Sequence, residues 1–600
     1  MRKINRFYGK VFSLLVFGSI LVNSVSVTAQ DVVTSDDISG GFVFRVSRKT
    51  MQKKVVLRNS MSFRRVKSQQ TFTAKRIRKQ TVTVAKTQPK RAKTREINPT
   101  VLADSSINRK SKEEVSRIFA GAGEFYLTND EVDKAVNIFR EATVLDDTNT
   151  TAKLGYSEAL ARRGDLYQEA EETDKARSYY LEAIKFNEKN AGAYAGLGET
   201  FENANEKEKA LEYYEKAMSL DQNLTEIYTP LGILYYQKGN IAQADEFLTK
   251  ALTNSADNAE TQLFFGLVRF SQNKNAEAFA AFQRAVQIDP NLAEAHYYLA
   301  GTLDRLDRKT EAIVAYNEAV RINPKYTEAW FDLGAAYYDG EKYEDAIAAY
   351  KKAIALKNNF GEAYENLGDV YRQVNRLDEA FSAYRLAVAL IKEPDVELFT
   401  NYGYVAARIA SNPSKRGFWT AAIENFRKAK DLNPDYINYS NLGWAYYNSL
   451  QTDMKINIKD SKDKNLQEAK TNLEEAIRLN DKFAAPFLNL GMVQIDLGNY
   501  QTAIEMLKRA DSLRKDWLPA LNELGIAYRQ NNDLDNAAKQ FKRALEIDEN
   551  FAGAVFNLGE TELQRRNLNE AKKAYRKLIQ INRRDLALQL DSISRGAVKN

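Results

Sequence analysis

Apolar and small residues recur along this 600-residue chain at a single interval. An apolar residue followed by glycine or alanine returns every 34 residues, and the period recovers later in the chain. The leading positions are Leu197, Leu231, Phe265, Leu299, Leu333 and Leu367, and then Leu490, Leu524 and Leu558. Alanines stand thirteen and twenty residues after each of the first six. Because apolar residues inside each unit recur at three and four, the pattern predicts two amphipathic helices of about a dozen residues per unit.

The small residue after each leading position indicates close helix packing. Glycine costs about 1 kcal/mol in a helix interior. Its return at one place, as at Gly198 and Gly334, therefore predicts that another helix lies against that backbone. The paired alanines predict the same contact on the second helix, and aromatic residues such as Tyr214 and Tyr350 are expected to fill the wider gaps between neighbouring pairs.

This pattern resembles the tetratricopeptide repeat, whose 34-residue unit carries an aromatic residue, Leu-Gly, a tyrosine, and then alanine, an aromatic residue, alanine and proline. Thirteen units are counted, from the one holding Ala135 and Ala142 to the one holding Ala571 and Leu578, and they cover nearly all of residues 113–585. The resemblance implies an all-α, right-handed superhelical solenoid. It also implies that the first helices line a concave channel in which peptides of partner proteins lie.

Irregular spacing divides the repeat array. The interval between equivalent alanines grows to 41 before Ala176, to 42 before Ala422 and to 47 before Ala469, and the extra residues are expected between the two helices of a unit. Polar loops are therefore predicted at 412–420 and 451–465. The predicted parts are 113–394, the loop-bearing units 395–482, the last units 483–585, and a capping helix and tail at 586–600. Within the first part, a proline at position 230 is expected to bend a first helix.

The first residues resemble an export signal. Four basic residues precede the apolar run 11–22, and Val27, Thr28 and Ala29 supply a small-residue exit, so residues 1–29 are predicted to be a cleaved signal peptide. An uncleaved membrane anchor is the alternative, although the run is shorter than the ~20 residues that span a bilayer. The predicted location is the periplasm, the cell envelope or the exterior of a bacterial cell.

Residues 30–112 form a basic arm without a helical period. Large apolar residues are few, so the arm buries too little surface to offset the entropy of ordering, and disorder in isolation is predicted. The alternation in residues 42–48 and 71–84 favours a different structure, two or three short strands, if another element supplies the other face.

Charge is divided unevenly along the chain. Residues 31–100 carry a net charge of +14, whereas residues 101–600 carry −11. An arm of this charge binds polyanions by releasing their counterions. Candidate partners are anionic lipid, an anionic cell-surface polymer, or the acidic body of the chain itself. Nucleic acid is the least favoured partner for an exported chain.

The composition excludes several chemistries. The chain has no cysteine and one histidine, His296, which excludes disulfides, thiolate metal sites, the usual zinc sites and histidine-dependent triads. Carboxylates are plentiful, but none is singled out as a catalytic pair. We therefore predict no cofactor, no metal site and no enzymatic activity.

Two stripes on the first helices are candidate peptide contacts. One is apolar and lies away from the packing positions, so its exposure would favour binding, with packing between repeats as the alternative. Its candidate site residues are Tyr236, Leu263, Phe270, Tyr297, Phe331 and Tyr338. The other consists of carboxamides immediately before the leading residues, which pair with a peptide backbone whatever its side chains. These are Asn366, Asn401, Asn441, Asn489 and, after a break at Glu523, Asn557. A similar ladder holds peptides in related arrays, yet Asn-Leu-Gly is also common in ordinary repeats.

Acidic residues stand five positions before five successive leading residues. They are Glu226, Glu260, Glu294, Glu328 and Glu362. As a functional ladder they would attract a basic ligand. As structural residues they would stabilise the helix dipole, each by about 0.3 to 1 kcal/mol.

The leading hypothesis is an exported, non-enzymatic scaffold that binds extended segments of partner proteins. The asparagines would hold the peptide backbone and the aromatic residues would select side chains. The alternative is a tether to the envelope or membrane surface that acts through the basic arm. The repeat array would then be a spacer, or would be inhibited by the arm folding back into its channel. The sequence indicates neither the partner nor the oligomeric state.

Overall fold

The described part of the chain is almost entirely helical. The computed structural model describes residues 31–34, 43–46, 110–450 and 459–599. The predicted signal peptide and most of the basic arm lie outside these residues. The chain divides into two compact units. The first unit is Thr50–Lys352, and the second unit is Met1–Lys49 together with Ala353–Asn600.

The helices of the first unit form consecutive antiparallel pairs, as the repeat predicts. They are α1 (Lys112–Thr128), α2 (Val132–Leu145), α3 (Thr150–Glu169), α4 (Thr173–Phe186), α5 (Ala191–Asn203), α6 (Lys207–Leu220), α7 (Tyr228–Gln237), α8 (Ile241–Asn254), α9 (Ala259–Ser271), α10 (Asn275–Ile288), α11 (Ala293–Arg305), α12 (Lys309–Ile322) and α13 (Thr327–Asp339). The pair of α13 is α14 (Tyr343–Leu356). Odd-numbered helices are the first helices of their pairs, and even-numbered helices are the second.

The second unit continues the same alternation and adds two strands. Its helices are α15 (Gly361–Gln373), α16 (Leu377–Leu390), α17 (Val396–Ala410), α18 (Phe418–Leu432), α19 (Tyr436–Leu450), α20 (Lys459–Leu479), α21 (Ala484–Asp496), α22 (Tyr500–Leu513), α23 (Leu518–Gln530), α24 (Leu534–Ile547), α25 (Ala552–Gln564), α26 (Leu568–Gln580) and α27 (Arg584–Ile593). Strands β1 (Asp31–Thr34) and β2 (Val43–Val46) pair antiparallel, with Asp31 opposite Val46. The described residues thus contain thirteen helix pairs followed by α27.

A glycine on most first helices faces a large side chain of its own second helix, sixteen residues later. A Cβ atom placed at Gly266 would lie 2.6 Å from Cε1 of Phe282, and one at Gly334 would lie 2.7 Å from the ring of Tyr350. Only glycine fits at such a distance. The predicted close packing is confirmed, with one correction. The group over the glycine is an aromatic or leucine side chain of the same pair, so the aromatic residues do not simply fill gaps between pairs.

Asparagines that begin first helices also tie successive pairs together. Oδ1 of Asn149 accepts from the N–H of Ala152 at 3.1 Å, and its Nδ2 donates to Oγ of Ser116 on the preceding first helix at 2.8 Å. Asn190 repeats the arrangement with Oγ of Ser157 at 2.9 Å. One side chain therefore satisfies a free backbone donor at a helix start and fixes the neighbouring pair.

The turn inside eleven of the described pairs contains one residue with a left-handed backbone. Two are glycines, and the other nine have φ between +57° and +63°. Those nine are Asp130, Glu171, Asn205, Asn273, Asp307, Glu341, Asn375, Asn532 and Arg566. This conformation is unfavourable for residues with a Cβ atom, and asparagine and aspartate tolerate it best. The turn therefore accounts for the many Asn and Asp residues that follow the first helices.

The single histidine has a structural partner. Nε2 of His296 lies 3.0 Å from the carbonyl oxygen of Pro290, six residues earlier. At the equivalent position of the next repeat, Nε1 of Trp330 donates to the carbonyl oxygen of Pro324 at 3.0 Å. His296 thus occupies a slot in which the side chain closes the turn that precedes a first helix.

The extra residues of the irregular units differ from the prediction in two places. The seven residues inserted before the alanine at 176 lengthen α3, which has 20 residues against 13 in α5, and form no loop. Seven residues are about two helical turns, so the buried face of the helix is kept. Of the loop predicted at 451–465, residues 459–465 belong to α20 and the remainder lies outside the described residues.

Two other local predictions are resolved by the helix boundaries. The loop predicted at 412–420 is confirmed as far as Gly417, because α18 begins at Phe418. The prediction that Pro230 bends a helix is wrong, since α7 begins at Tyr228 after a short 3-10 turn. A proline in the first turn of a helix removes no backbone hydrogen bond.

A carboxyl group on α3 lies next to a buried tyrosine of the paired helix α4. The hydroxyl of Tyr180 donates to Oδ1 of Asp165 at 2.7 Å. Burial raises the pKa of Asp165 from 3.8 to about 7, with Glu158 and Glu199 adding to the rise and the Tyr180 hydrogen bond opposing it. The folded chain therefore binds a proton at Asp165 more tightly than the unfolded chain does.

Replacing Asp165 by asparagine is expected to stabilise the first unit in a pH-dependent way. The folded pKa exceeds the unfolded one, so the wild-type carboxyl destabilises the fold increasingly as pH rises from about 4 to 7, and fully above that. The gain should be near zero at pH 4 and on the order of 2 kcal/mol at pH 8. Thermal unfolding followed by circular dichroism at pH 4, 6 and 8 measures it.

The control for this substitution is Glu169→Gln, which neutralises an exposed carboxylate at the end of the same helix. It should leave the melting temperature almost unchanged at each pH. A gain for Asp165→Asn that is equal at all three pH values would show that the cause is not the titration of this carboxyl.

Candidate peptide-binding surface

The first helices of the second unit lie side by side. Helix α15 contacts α17, and α19, α21, α23 and α25 contact one another in turn. We call the surface formed by these helices the first-helix row. The asparagines selected from the sequence all lie on it, so any common function of theirs depends on its geometry.

Strand β2 lies against two helices of the first-helix row, α17 and α19. An isolated pair of strands is marginally stable at best in water, so these helices supply the support that the alternation in residues 42–48 required. A strand lies at Val43–Val46, inside the segment whose alternation favours strands, and the disorder expected of the arm in isolation stays a prediction. Strand β1 was not indicated by its sequence. Residues 71–84 lie outside the described part of the chain.

Helices α17, α19 and α21 are buried more completely than α15 and α23, and ten of the thirteen residues of α21 are buried. Eleven of the fifteen residues of α17 are buried, and so are eleven of the fifteen of α19. In α15 and α23 the corresponding figure is seven of thirteen. Helices α17 and α19 carry buried polar side chains, including Thr400 on α17 and Asn438, Ser440 and Asn448 on α19. Three of these side chains donate to nearby backbone carbonyl oxygens, each at 2.8 Å: Thr400 to Val396, Asn438 to Asn433, and Asn448 to Trp444.

Only one of the two polar atoms in the side chain of Asn401, on α17, has a hydrogen-bond partner among the described residues. Its Nδ2 donates to Oδ1 of Asp369 on α15 at 3.1 Å, and the same oxygen accepts from the hydroxyl of Tyr384 at 2.7 Å. Oδ1 of Asn401 is buried without a hydrogen-bond partner in the described structure. An unpaired buried acceptor is unfavourable, by about 1 to 3 kcal/mol. A backbone N–H of a bound peptide would supply the missing donor.

The other ladder asparagines lie in different surroundings. Asn441 and Asn489 expose 0% and 1% of their surface, so they lie inside the row, whereas Asn366 is half-buried. Asn557 is engaged within the array, since its Nδ2 donates to Oδ1 of Asn522 at 3.0 Å. The structure therefore places all five on successive first helices except at α23, but not in equivalent environments.

A charged cluster joins α23 to α25 at the end of the row. The side chain of Arg529 is 9% exposed and forms an ion pair with Glu560, and it donates to Oδ1 of Asn557 at 3.4 Å. Asn522 donates to Glu523 at 3.1 Å, and burial raises the pKa of Glu523 to about 7. On α23, where the asparagine ladder is interrupted, Asn522 therefore links this helix to α25.

The apolar stripe lies mainly in the core of the first unit. The prediction of exposure is wrong for Leu263, Phe270, Tyr297 and Phe331, which expose 3 to 5% of their surface. The physical reason is packing between and within pairs, the alternative that the sequence left open. The hydroxyl of Tyr297, for example, donates to Asp332 on the next first helix at 2.6 Å. Half-buried members are Tyr236 and Tyr338. A peptide-binding role for the stripe stays a prediction.

The acidic stripe lies in the first turns of its helices or of the 3-10 turn before α7. All five members, Glu226, Glu260, Glu294, Glu328 and Glu362, occupy this position. Their placement matches the structural explanation, in which a carboxylate stabilises the positive end of a helix dipole.

Carboxyl groups with raised pKa values are spread over several of the described helices. The described residues contain no cluster of three or more His, Asp or Glu side chains that could hold a metal ion. Carboxyls with raised pKa values, such as Asp165, Asp304 and Glu523, lie on different first helices, and burial is the main cause in each case. No described helix has both the length and the apolar character that a membrane crossing requires.

Comparison with protein families agrees with this geometry. A model described as "TPR repeat" matches residues 266–304, 308–340 and 334–375. Models described as "Tetratricopeptide repeat" match residues 157–190, 191–224, 225–258, 361–394, 484–516, 519–551 and 552–585. The matches cover more than half of the chain, which therefore belongs to the tetratricopeptide repeat family. Repeats of this family are generally non-catalytic protein-interaction scaffolds.

Several solved structures are similar to parts of this chain. The MamA protein is 30% identical over 28% of this chain and 90% of its own, with a TM-score of 0.26. YrrB, described as "a TPR protein with an unusual peptide-binding site", is 26% identical over 31% of this chain and 95% of its own, with a TM-score of 0.28. The Cut9–Hcn1 hetero-tetramer of the APC/C is 16% identical over 78% of this chain and 99% of its own, with a TM-score of 0.31. Among curated proteins, none matches the chain.

Proposed function

We propose that this chain is an exported, non-enzymatic scaffold that binds extended segments of partner proteins along its first-helix row. The observation that carries the proposal is strand β2, an extended segment that lies on α17 and α19. These are the helices that carry Asn401 and Asn441. The surface therefore accommodates extended backbone, which is the ligand conformation that an asparagine ladder suits. Export rests on the character of residues 1–29 alone.

The unpaired acceptor of Asn401 supports a contact with peptide backbone. Its Oδ1 is buried without a partner among the described residues, while its Nδ2 is fixed by Asp369. The oxygen is thereby held in one orientation. A ligand that donates a backbone N–H removes the cost of the unpaired atom and needs no particular side chain to do so. Selectivity would then come from side-chain contacts elsewhere in the row.

Substituting Asn401 by alanine is expected to weaken peptide binding about three- to tenfold, the range for loss of one hydrogen bond. The probe is a set of random-sequence peptides displayed on phage, selected on the full chain and then synthesised. Because the contact is with backbone, the loss should be similar for peptides of unrelated sequence. Fluorescence anisotropy with labelled peptides measures the affinities.

Asn254→Ala is the matched control, since Asn254 is exposed at the end of a second helix and donates only within its own helix, to Lys250 at 2.8 Å. It should leave every affinity unchanged. Selection that yields no binding peptide would contradict the proposal, as would peptides that bind wild type and Asn401→Ala equally.

A further inference from the structure

We propose that β1 and β2 form an internal ligand of the first-helix row, and that a partner segment reaches α17 and α19 only by displacing them. This inference rests on the proposed function, because it concerns the regulation of the same surface. The partner that fits is an extended segment resembling residues 31–46, rich in β-branched and aromatic residues and carrying little net charge.

The strands lie against helices that are far from them in the sequence. Strands β1 and β2 belong to the same compact unit as residues 353–600, although they stand near the opposite end of the sequence. Strand β2 ends at Val46 and the first helix that it contacts begins at Val396. Closing so long a loop is entropically unfavourable, so attractive contacts with α17 and α19 must hold the strand there.

Strand β2 contacts α17 and α19 of the first-helix row. A second extended segment could not contact these helices at the same place while β2 remains. Occupation by β2 and binding of a partner at α17 and α19 are therefore mutually exclusive.

Two polar atoms on the helices that β2 contacts are unsatisfied. Oδ1 of Asn401 on α17 and Oγ of Ser440 on α19 are both buried, and neither has a hydrogen-bond partner among the described residues. A buried polar atom without a partner weakens the state that contains it. A partner segment that pairs with these atoms would bind the same helices more tightly than β2 does. The strands thus have the properties of a displaceable occupant.

Charge does not account for the contact. Residues 31–46 contain Asp31, Asp36, Asp37 and Arg45, a net charge of −2, although the arm as a whole is strongly basic. The acidic body would not attract such a segment electrostatically. The contact should therefore depend little on ionic strength, unlike a contact made by the basic part of the arm.

The test uses a fluorescently labelled synthetic peptide of residues 31–46. Its affinity is measured by anisotropy for the full chain and for a chain that lacks only residues 31–46. The peptide should bind the deleted chain at least about tenfold more tightly, because in the full chain the tethered copy competes at an effective concentration in the millimolar range. A scrambled peptide of the same composition should bind neither chain. Raising the salt concentration should change the affinity little.

A second variant guards against an indirect effect of the deletion. The double substitution Val33→Pro and Phe44→Pro keeps the chain length but removes backbone donors from both strands, which prevents their pairing. It should bind the peptide as the deleted chain does. Equal affinity of the full and deleted chains would overturn the inference, and so would absence of binding to the deleted chain.

Two further outcomes separate this inference from related ideas. If light scattering shows that the full chain is a dimer and the deleted chain a monomer, the strands occupy a second copy and the intramolecular inference fails. If phage-selected peptides depend on Asn401 yet bind the full and deleted chains equally, the proposed function stands and the inference fails. If the 31–46 peptide binds the deleted chain but no selected peptide binds either chain, the internal contact stands without the proposed function.

Discussion

Replacing Gly266 by valine is expected to lower the free energy of unfolding by about 3 kcal/mol, because the site has no room for a side chain. A Cβ atom at this position would lie 2.6 Å from the ring of Phe282, and that ring is fully buried between its neighbours. The ring cannot move aside without opening the contact between α9 and α10. Hydrogen exchange should therefore show the loss of protection centred on this pair. Urea unfolding followed by circular dichroism measures the total cost.

Gly301→Ala is the matched control. Gly301 also lies inside a first helix, but the nearest atom to an added Cβ would be the hydroxyl of Tyr316 at 3.5 Å, an ordinary contact. The substitution should stabilise the chain by up to about 1 kcal/mol, since alanine favours helix over glycine. If Gly266→Val and Gly301→Ala have similar effects, close approach does not explain the recurrence of glycine.

Replacing Arg529 by methionine is expected to destabilise the end of the array by about 3 kcal/mol at neutral pH. The guanidinium is nearly buried and is paired with Glu560 on the next first helix, and it also lowers the pKa of Glu523. Removing it leaves two carboxyls without their cation in a poorly solvated place. The loss should shrink near pH 4, where protonated carboxyls need no partner. Urea midpoints at the two pH values measure both effects.

Arg543→Met is the control for a buried ion pair. Arg543 lies on a second helix and pairs with Asp511 at 2.6 Å, but its side chain is 32% exposed against 9% for Arg529. A partly exposed ion pair is better solvated than a buried one, so this substitution should cost about 1 kcal/mol, less than Arg529→Met. Equal losses at the two positions would show that burial of the Arg529 pair is not the cause.

The helix pairs were predictable because their cause is local and repeated. Glycine at Gly266, a large side chain sixteen residues later and alanines around it are a steric requirement that each pair meets alone. The thirteen units and the loop after α17 follow from the same reasoning. The extension of α3 could not be predicted in this way, because a seven-residue insertion is compatible with either a loop or two further helical turns.

The site was less predictable because burial depends on neighbours that a period does not specify. Asn401 and Asn557 occupy the same position in the repeat, yet one leaves its oxygen unpaired while the other is bonded to Asn522. Tyr297 was selected as exposed but packs against the next first helix. The contact of β2 with α17 and α19 joins segments far apart in sequence. Only the alternation in residues 42–48 indicated that such a strand exists.

The left-handed residues in the turns are positions at which the stability of this protein can be changed. Most such positions carry a side chain, and Glu171, Glu341 and Arg566 are not the asparagine or aspartate that tolerates this conformation best. Glycine at these three sites would relieve backbone strain at the rim, away from both helical faces. The stability of individual turns can thus be changed at these three positions without substituting any residue of the helices.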